Sequence, residues 1–176
     1  MEILSSYTVR LTKLLKKFLK MLEAKMPYEK TLVIIKPDGV SEGYVPEILR
    51  KFEAEKLAKK FYKKCILESQ KVEQLYSHLK EKITEQNFLS ILQYMTSGDS
   101  VLIVYEGENA IANVRKICGP TDPFEARQYS PNSIRAFSKD SLQRAINEMR
   151  AVHNIVHSSG TLADAEREIK LFGIDL

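Results

Sequence analysis

The sequence predicts an α+β fold: a ferredoxin-like four-stranded antiparallel sheet covered by helices, with an added N-terminal amphipathic helix. Three observations predict it. Four short segments rich in β-branched residues alternate with helical patterns in the order β-α-β-(αα)-β-α-loop-β-α. The link between the second and third strands is a pair of helices, which argues against a parallel doubly wound sheet. Hydrophobic residues make up 44% of 176, enough for a sizeable core.

At the N-terminus, Leu11, Leu14, Leu15, Phe18, Leu19 and Leu22 recur at helical spacing, with Lys13, Lys16, Lys17 and Lys20 opposite them. Such a basic amphipathic helix packs its apolar stripe on the domain or on another subunit; contact of residues 9–22 with a membrane surface is the alternative. Met26-Pro27 closes this extension, so residues 1–26 and 27–176 read as extension and domain. "TLVIIK" from Thr31 is a buried strand, broken by the turn chemistry of "PDG". Val45, Ile48, Leu49 and Phe52 mark a helix, and 57–67 a second strand interspersed with lysines. Residues 71–80 and about 84–95 form the helical pair, and "SVLIVYEG" is the third strand. A helix from Ala110 to Cys118 stops at Gly119-Pro120. A loop runs from 120 to about 136, and 140–150 reads as helical. "HNIVH" is the fourth strand, and Thr161 caps a last helix with Asp164 at capping-box spacing.

Composition narrows the function. The net charge of +4 suits an anionic small molecule as well as weak nucleic-acid contact, and no specific nucleic acid is expected. Cys65 and Cys118 have neither metal-type nor C-x-x-C spacing, which points to a reducing, cytoplasmic setting. No apolar run reaches the roughly 18 residues of a membrane span. There is no G-x-x-x-x-G-K-[ST], no G-x-G-x-x-G, no G-x-S-x-G and no zinc-ligand cluster. A protein of this kind that handles phosphate must do so with side chains.

Candidates for that task stand at the ends of elements: Lys36 after strand one, Arg115 in the last turn of a helix, Thr121 in "GPTDP" and Arg135 in "SIRAF". Fixed cations and a hydroxyl can spread over the oxygens of a transferring phosphoryl group. His157 is the candidate nucleophile, since a neutral imidazole nitrogen can attack phosphorus when the other nitrogen is held by an acceptor. Singly, each has a plainer explanation, as a solvated lysine, a helix-end arginine or a polar strand end.

Together, "TLVIIKPDGV", "YMTSG", "GPTDP", "SIR", "NIVHSS" and "AEREI", in that order from Thr31 to Phe172, resemble the nucleoside diphosphate kinase family. The resemblance implies transfer of the γ-phosphate of a nucleoside triphosphate to a nucleoside diphosphate, by a ping-pong mechanism through a phosphohistidine at His157. It implies Lys36 near the phosphates and sugar hydroxyls, Tyr76 beside the phosphohistidine, and Arg115, Thr121 and Arg135 on the nucleotide phosphates. It puts Asn154 on the sugar hydroxyl, and Ser159 and Glu168 behind the histidine. Phe88 is expected to stack on the base, with Asn87 the alternative because extra residues separate Tyr76 from Tyr94. Mg2+ is expected to be bound through the nucleotide phosphates, with no protein metal ligand. A homo-oligomer is expected, a hexamer before a tetramer or dimer, with Pro123 near the subunit contacts.

Strict strand alternation puts Asn154 and His157 on opposite faces. For both to touch one nucleotide, the strand must end or bulge between them. His153 shares a face with His157 under that alternation and is the natural decoy. This sequence also departs from the family: the stretch from Arg135 to His157 is longer, "HSSG" stands for "HGSD", and "IRAFS" for "IRGDF". A nucleotide-binding or regulatory relative with weak or lost turnover is the competing reading.

Overall fold

The structure, a computed structural model, describes residues 27–176 and, before them, only Lys13. The amphipathic helix expected over 9–22, and with it the 1–26 extension, otherwise lies outside the described residues. Four strands, β1 (Tyr28–Ile35), β2 (Ala58–Ile66), β3 (Asp99–Glu108) and β4 (Val156–Ser158), form one antiparallel sheet in the order β2-β3-β1-β4. This is the predicted fold.

The central strands are apolar and buried over Leu32–Ile35 and Val101–Tyr105 because helices cover both of their faces there. Val33, Ile35, Val101, Ile103 and Tyr105 point into one core, with α2 (Val45–Glu53) and α5 (Ala110–Cys118) over it. Their neighbours Leu32, Ile34, Leu102 and Val104 point into the other. That face is covered by α3 (Ser69–Leu75), α4 (Glu85–Thr96) and α8 (Leu162–Leu171). The lysines of β2 are those of an edge strand, exposed along most of its length. A bulge between Lys59 and Phe61 shifts its register, and Lys60 pairs there with Glu106 at 2.8 Å.

Four expectations change in detail. "PDG" is not a simple turn but opens a short helix, α1 (Pro37–Ser41), with Pro37 in its first turn after the extended Lys36. The stretch 120–136 is not one loop. It holds α6 (Pro123–Tyr129), capped by Asp122, whose side chain accepts from the Phe124 N–H, and a 3-10 turn, Ile134–Phe137. The helix expected over 140–150 shrinks to α7 (Leu142–Asn147), capped by Ser141. The fourth strand shrinks to three residues, Val156–Ser158.

Candidate active site

The carboxyl end of β1 and the start of β4 meet where the sheet is most buried. His157 pairs with Ile34 across the two strands, and Lys36 follows β1 directly. The strand does end between Asn154 and His157. The Val156 N–H donates to the Asn154 carbonyl at 2.7 Å, closing a three-residue turn around Ile155, whose φ is +69°. Positive φ is rare for a β-branched residue. Here it is held from both sides: the Ile155 N–H donates to Asp38 Oδ2 at 3.0 Å, and its carbonyl accepts from the Lys36 N–H at 2.8 Å. Gly39 lets α1 approach this turn, since a Cβ there would lie 2.9 Å from Ile155 Cγ2 and from Ile35 Cγ2. The turn brings Asn154 and His157 to the same end of the sheet, where Asn154 lines a cavity with Tyr76 and His157 stands against the Tyr76 ring. Asp38, unremarkable in sequence except as turn chemistry, is the residue that holds it.

His157 Nε2 lies 3.0 Å from Glu168 Oε2, and the Ser159 hydroxyl donates to the same oxygen at 2.8 Å. Ser159 is itself fastened to β1, its N–H donating to the Leu32 carbonyl at 3.1 Å and its Oγ accepting from the Leu32 N–H at 3.2 Å. Glu168 is buried on α8. A carboxylate acceptor at Nε2 keeps the proton on that nitrogen and leaves Nδ1 with its lone pair. The His157 side chain is 16% exposed, so a small group can reach it. The Tyr76 ring stands edge-on to the imidazole at 6.0 Å. Burial, then the negative charge of Glu168, raise the Tyr76 phenol, which stays protonated.

Cations gather around this imidazole. Lys36 is buried, donates from Nζ to Asn154 Oδ1 at 2.6 Å, and lies 5.6 Å from the centroid of the Tyr94 ring. Burial lowers its pKa to about 8, against the opposing pull of Asp38 and with the help of Arg135. Asn154 is held in turn by donating to the Thr121 carbonyl at 2.8 Å. Arg135 donates to the Gly119 carbonyl at 2.6 Å and the Val156 carbonyl at 3.2 Å, and its buried Nε has no partner among the described residues. Gly119 has φ +82°, and a Cβ there would strike Ser133. Arg115 is exposed, with Nη1 at 3.6 Å from where a Cβ on Gly160 would lie. The structure thus groups His157, Lys36, Tyr76, Arg115, Thr121, Arg135, Asn154, Ser159 and Glu168.

Phe88 does not join them. It is 6% exposed, under the ammonium of Lys80, and does not line the adjoining cavity. The residue of α4 that does is Asn87. The physical reason is helical phase: neighbours on α4 point about 100° apart, and the larger apolar side chain takes the core. This cavity, about 380 Å3, begins at Lys36, Tyr76, Thr121 and Asn154 and extends between α4 and α7. His153 stands apart, stacked on Tyr94 at 4.4 Å with its backbone tied to Asp140 and Ser138. Among the described residues no group of three or more His, Cys, Asp or Glu could hold a metal ion, and no helix is long and apolar enough to cross a membrane.

Residues 29–173 match the family model "Nucleoside diphosphate kinase". The nucleoside diphosphate kinase of Pyrobaculum aerophilum is 34% identical over 84% of this chain and 96% of its own. That of Staphylothermus marinus is 38% identical over 83% of this chain and 93% of its own. Among solved structures, a transition state mimic of the Borrelia burgdorferi enzyme with bound vanadate and ADP superposes with a TM-score of 0.76 at 30% identity, covering 82% of this chain and 86% of that one. The Aquifex aeolicus enzyme superposes with a TM-score of 0.72 at 34% identity, covering 83% and 95%.

Proposed function

The chain belongs to the nucleoside diphosphate kinase family and is an enzyme of that class, and from that premise we propose that it carries the γ-phosphate through His157 in two half-reactions. The single observation that supports this most is the Ser159–Glu168–His157 series, which leaves Nδ1 as the ring nitrogen without a hydrogen-bond partner among the described residues. In the first half-reaction the Nδ1 lone pair attacks the γ-phosphorus of a nucleoside triphosphate. The bond from that phosphorus to the β,γ-bridging oxygen breaks, its electron pair leaving with the diphosphate. The second half-reaction is the reverse, with the β-phosphate oxygen of another diphosphate as the attacking atom.

In this reading Glu168 steadies the positive charge that develops on the imidazole, and Ser159 keeps Glu168 in place. Lys36, Arg115 and Arg135 take up the phosphate charge, joined by the Thr121 hydroxyl, while Asn154 orients the sugar and the Lys36 ammonium. Fixed groups need no reorganisation when charge moves, so in-line restraint is the main source of rate. Mg2+ held by the nucleotide's own phosphates would neutralise their oxygens, and the residues facing that complex are these same cations and Thr121. The same reading takes residues 1–26 as an extension to the kinase domain, and the protein as a cytoplasmic homo-oligomer, hexameric before tetrameric or dimeric.

The test is labelling with γ-radiolabelled ATP, followed by exchange with a second diphosphate. Label that is acid-labile and alkali-stable is expected on the protein, absent in His157→Ala and present in His153→Ala. Labelling that survives His157→Ala and disappears in His153→Ala would overturn the assignment. Diphosphate binding without label or exchange would leave a nucleotide-binding relative that has lost turnover.

A further inference from the structure

The cavity beside the phosphate groups has an outer wall that phosphate chemistry does not account for. That wall is α7, which lies in the stretch between Arg135 and His157. The segment is pinned at its base. Asp140 accepts two hydrogen bonds from the Arg150 guanidinium, at 2.7 and 2.9 Å, and one from the His153 N–H at 2.9 Å. The Ser138 hydroxyl donates to the His153 carbonyl at 2.5 Å. So pinned, α7 turns Leu142 and Ile146, one helical turn apart, toward the cavity. They are 40% and 51% exposed, apolar groups left in water at the mouth of a cleft. From α4, Ile91 and Asn87 line the same space. Asn87 carries a buried carboxamide oxygen without a hydrogen-bond partner among the described residues.

The cavity's inner rim is Lys36 and Asn154, which the reading above puts on the phosphates and the sugar. A ligand anchored there extends past Tyr76 and Tyr94 into an outer space walled by Leu79, Ile83, Ile91, Leu142 and Ile146, with the Asn87 amide at one edge. From this continuity, and resting on that reading, we infer that α7 forms the outer wall of the base slot, with Leu142 and Ile146 as the residues that grip the nucleobase. A flat ring suits such walls, and Asn87 offers both donor and acceptor to a base edge. On its outer wall the slot offers aliphatic contact from Leu142 and Ile146. Aliphatic contact grows with the area covered, so purines gain more from it than pyrimidines.

The experiment compares two phosphoryl donors, ATP and ribose 5-triphosphate, which lacks the base, by the rate of phosphohistidine formation at subsaturating donor. Ile146→Ser is expected to lower the ratio of the ATP rate to the ribose triphosphate rate by about tenfold. Leu142→Ser is expected to lower it less, and Ile146→Leu to restore most of it. With the natural donors, ATP and GTP are expected to lose more than CTP and UTP. A ratio unmoved by both serine variants, or a parallel fall for both donors, overturns the inference. If the wild-type protein takes no label, the phosphotransfer reading fails separately. The α7 inference is then decided by calorimetric affinities for ADP and ribose 5-diphosphate, whose ratio must fall in Ile146→Ser for it to stand.

Discussion

At the inner end Lys36, Asn154, Ser159 and Glu168 are buried and hydrogen-bonded in pairs, Lys36 to Asn154 and Ser159 to Glu168, with Ser159 tied to β1 through Leu32. At the outer end Leu142 and Ile146 ride on a six-residue helix and stand half in solvent. The inner end is built from the most buried strand of the sheet, so a shift there disturbs the core. The outer end is held by the Asp140–Arg150 clasp, a few backbone hydrogen bonds and the buried Ala145, so its exposed face can vary in sequence with little cost to the fold. This is the arrangement expected of an enzyme whose chemistry is the same for every substrate and whose bases differ. The contrast says where substitutions should hurt chemistry and where they should only retune binding.

The largest expected effect is at Glu168. Glu168→Ala removes the acceptor that fixes the imidazole, and the single-turnover labelling rate should fall by about 10²-fold at saturating ATP. The substrate concentration for half-maximal rate should change little, because Glu168 touches His157 and not the nucleotide. Glu168→Gln retains an acceptor without the charge and should recover part of the rate. An equal loss in apparent affinity would mean that the inner and outer ends are not separable in this way.

Next comes the pH dependence of Lys36. Its folded pKa lies near 8, below the ordinary 10.5, because burial disfavours the charged form. The charged form is the one that can hold phosphate. As pH rises through 8 the free enzyme loses that charge, and kcat/KM should fall about tenfold per unit above it. A bound polyphosphate favours the ammonium, so kcat should hold to higher pH than kcat/KM. The sign for stability is opposite: between about 8 and 10.5 the unfolded chain binds the extra proton, so folding should become slightly more favourable as pH rises. A flat kcat/KM profile from pH 7 to 9.5 that stays flat and equally high in Lys36→Met would remove Lys36 from phosphate binding.

How far each end could be read in the sequence follows the same division. Strand one was legible because β-branched residues in a short apolar run have little choice when both faces are covered. The histidine, the lysine and the arginines were legible only in combination, since each has a dull role by itself. The turn at Ile155 was legible as a necessity, because Asn154 and His157 had to share a cleft, but Asp38 as its holder was not. An aspartate after Lys-Pro reads as turn chemistry, and nothing local reveals that its second oxygen reaches residue 155. Helix α6 was missed although Asp122-Pro123 is a start signal, because the seven residues after it have too little apolar periodicity to stand out. At the outer end the choice between Asn87 and Phe88 turned on helical phase, which the added residues before α4 obscured. A longer spacing also carries no direction, so the sequence could not say that α7 faces the cleft.

The clasp between the two ends gives a smaller effect, on stability. Burial alone would raise the Asp140 carboxyl, but hydrogen bonds from Arg150 and from the His153 and Ser141 N–H groups hold it well below the ordinary 3.8. Its contribution is therefore full above that ordinary value and drains away as pH falls beneath it. Asp140→Asn should cost about 2 kcal/mol in urea unfolding at pH 7, the scale of hydrogen bonds to a charged group. The difference from wild type should narrow at pH 3. If the clasp also positions α7, Asp140→Asn should reduce the preference for ATP over ribose 5-triphosphate in the same direction as Ile146→Ser.

The smallest expected effect separates Phe88 from Asn87, neighbours on α4 that the structure assigns to opposite environments. Phe88→Leu replaces one buried apolar side chain with a somewhat smaller one and should cost about 1 kcal/mol of stability. It should leave the ATP to ribose 5-triphosphate ratio where it was, since the ring lies under Lys80 and outside the cavity. Asn87→Leu should do the reverse. Its carboxamide oxygen is buried without a partner among the described residues, so losing it should not weaken the fold, while a base edge would lose its hydrogen bond. Thermal unfolding and the donor ratio, measured on the two variants side by side, should therefore move in opposite columns. A fall in the donor ratio for Phe88→Leu and none for Asn87→Leu would return the base to the aromatic ring and leave α7 without a role in holding it.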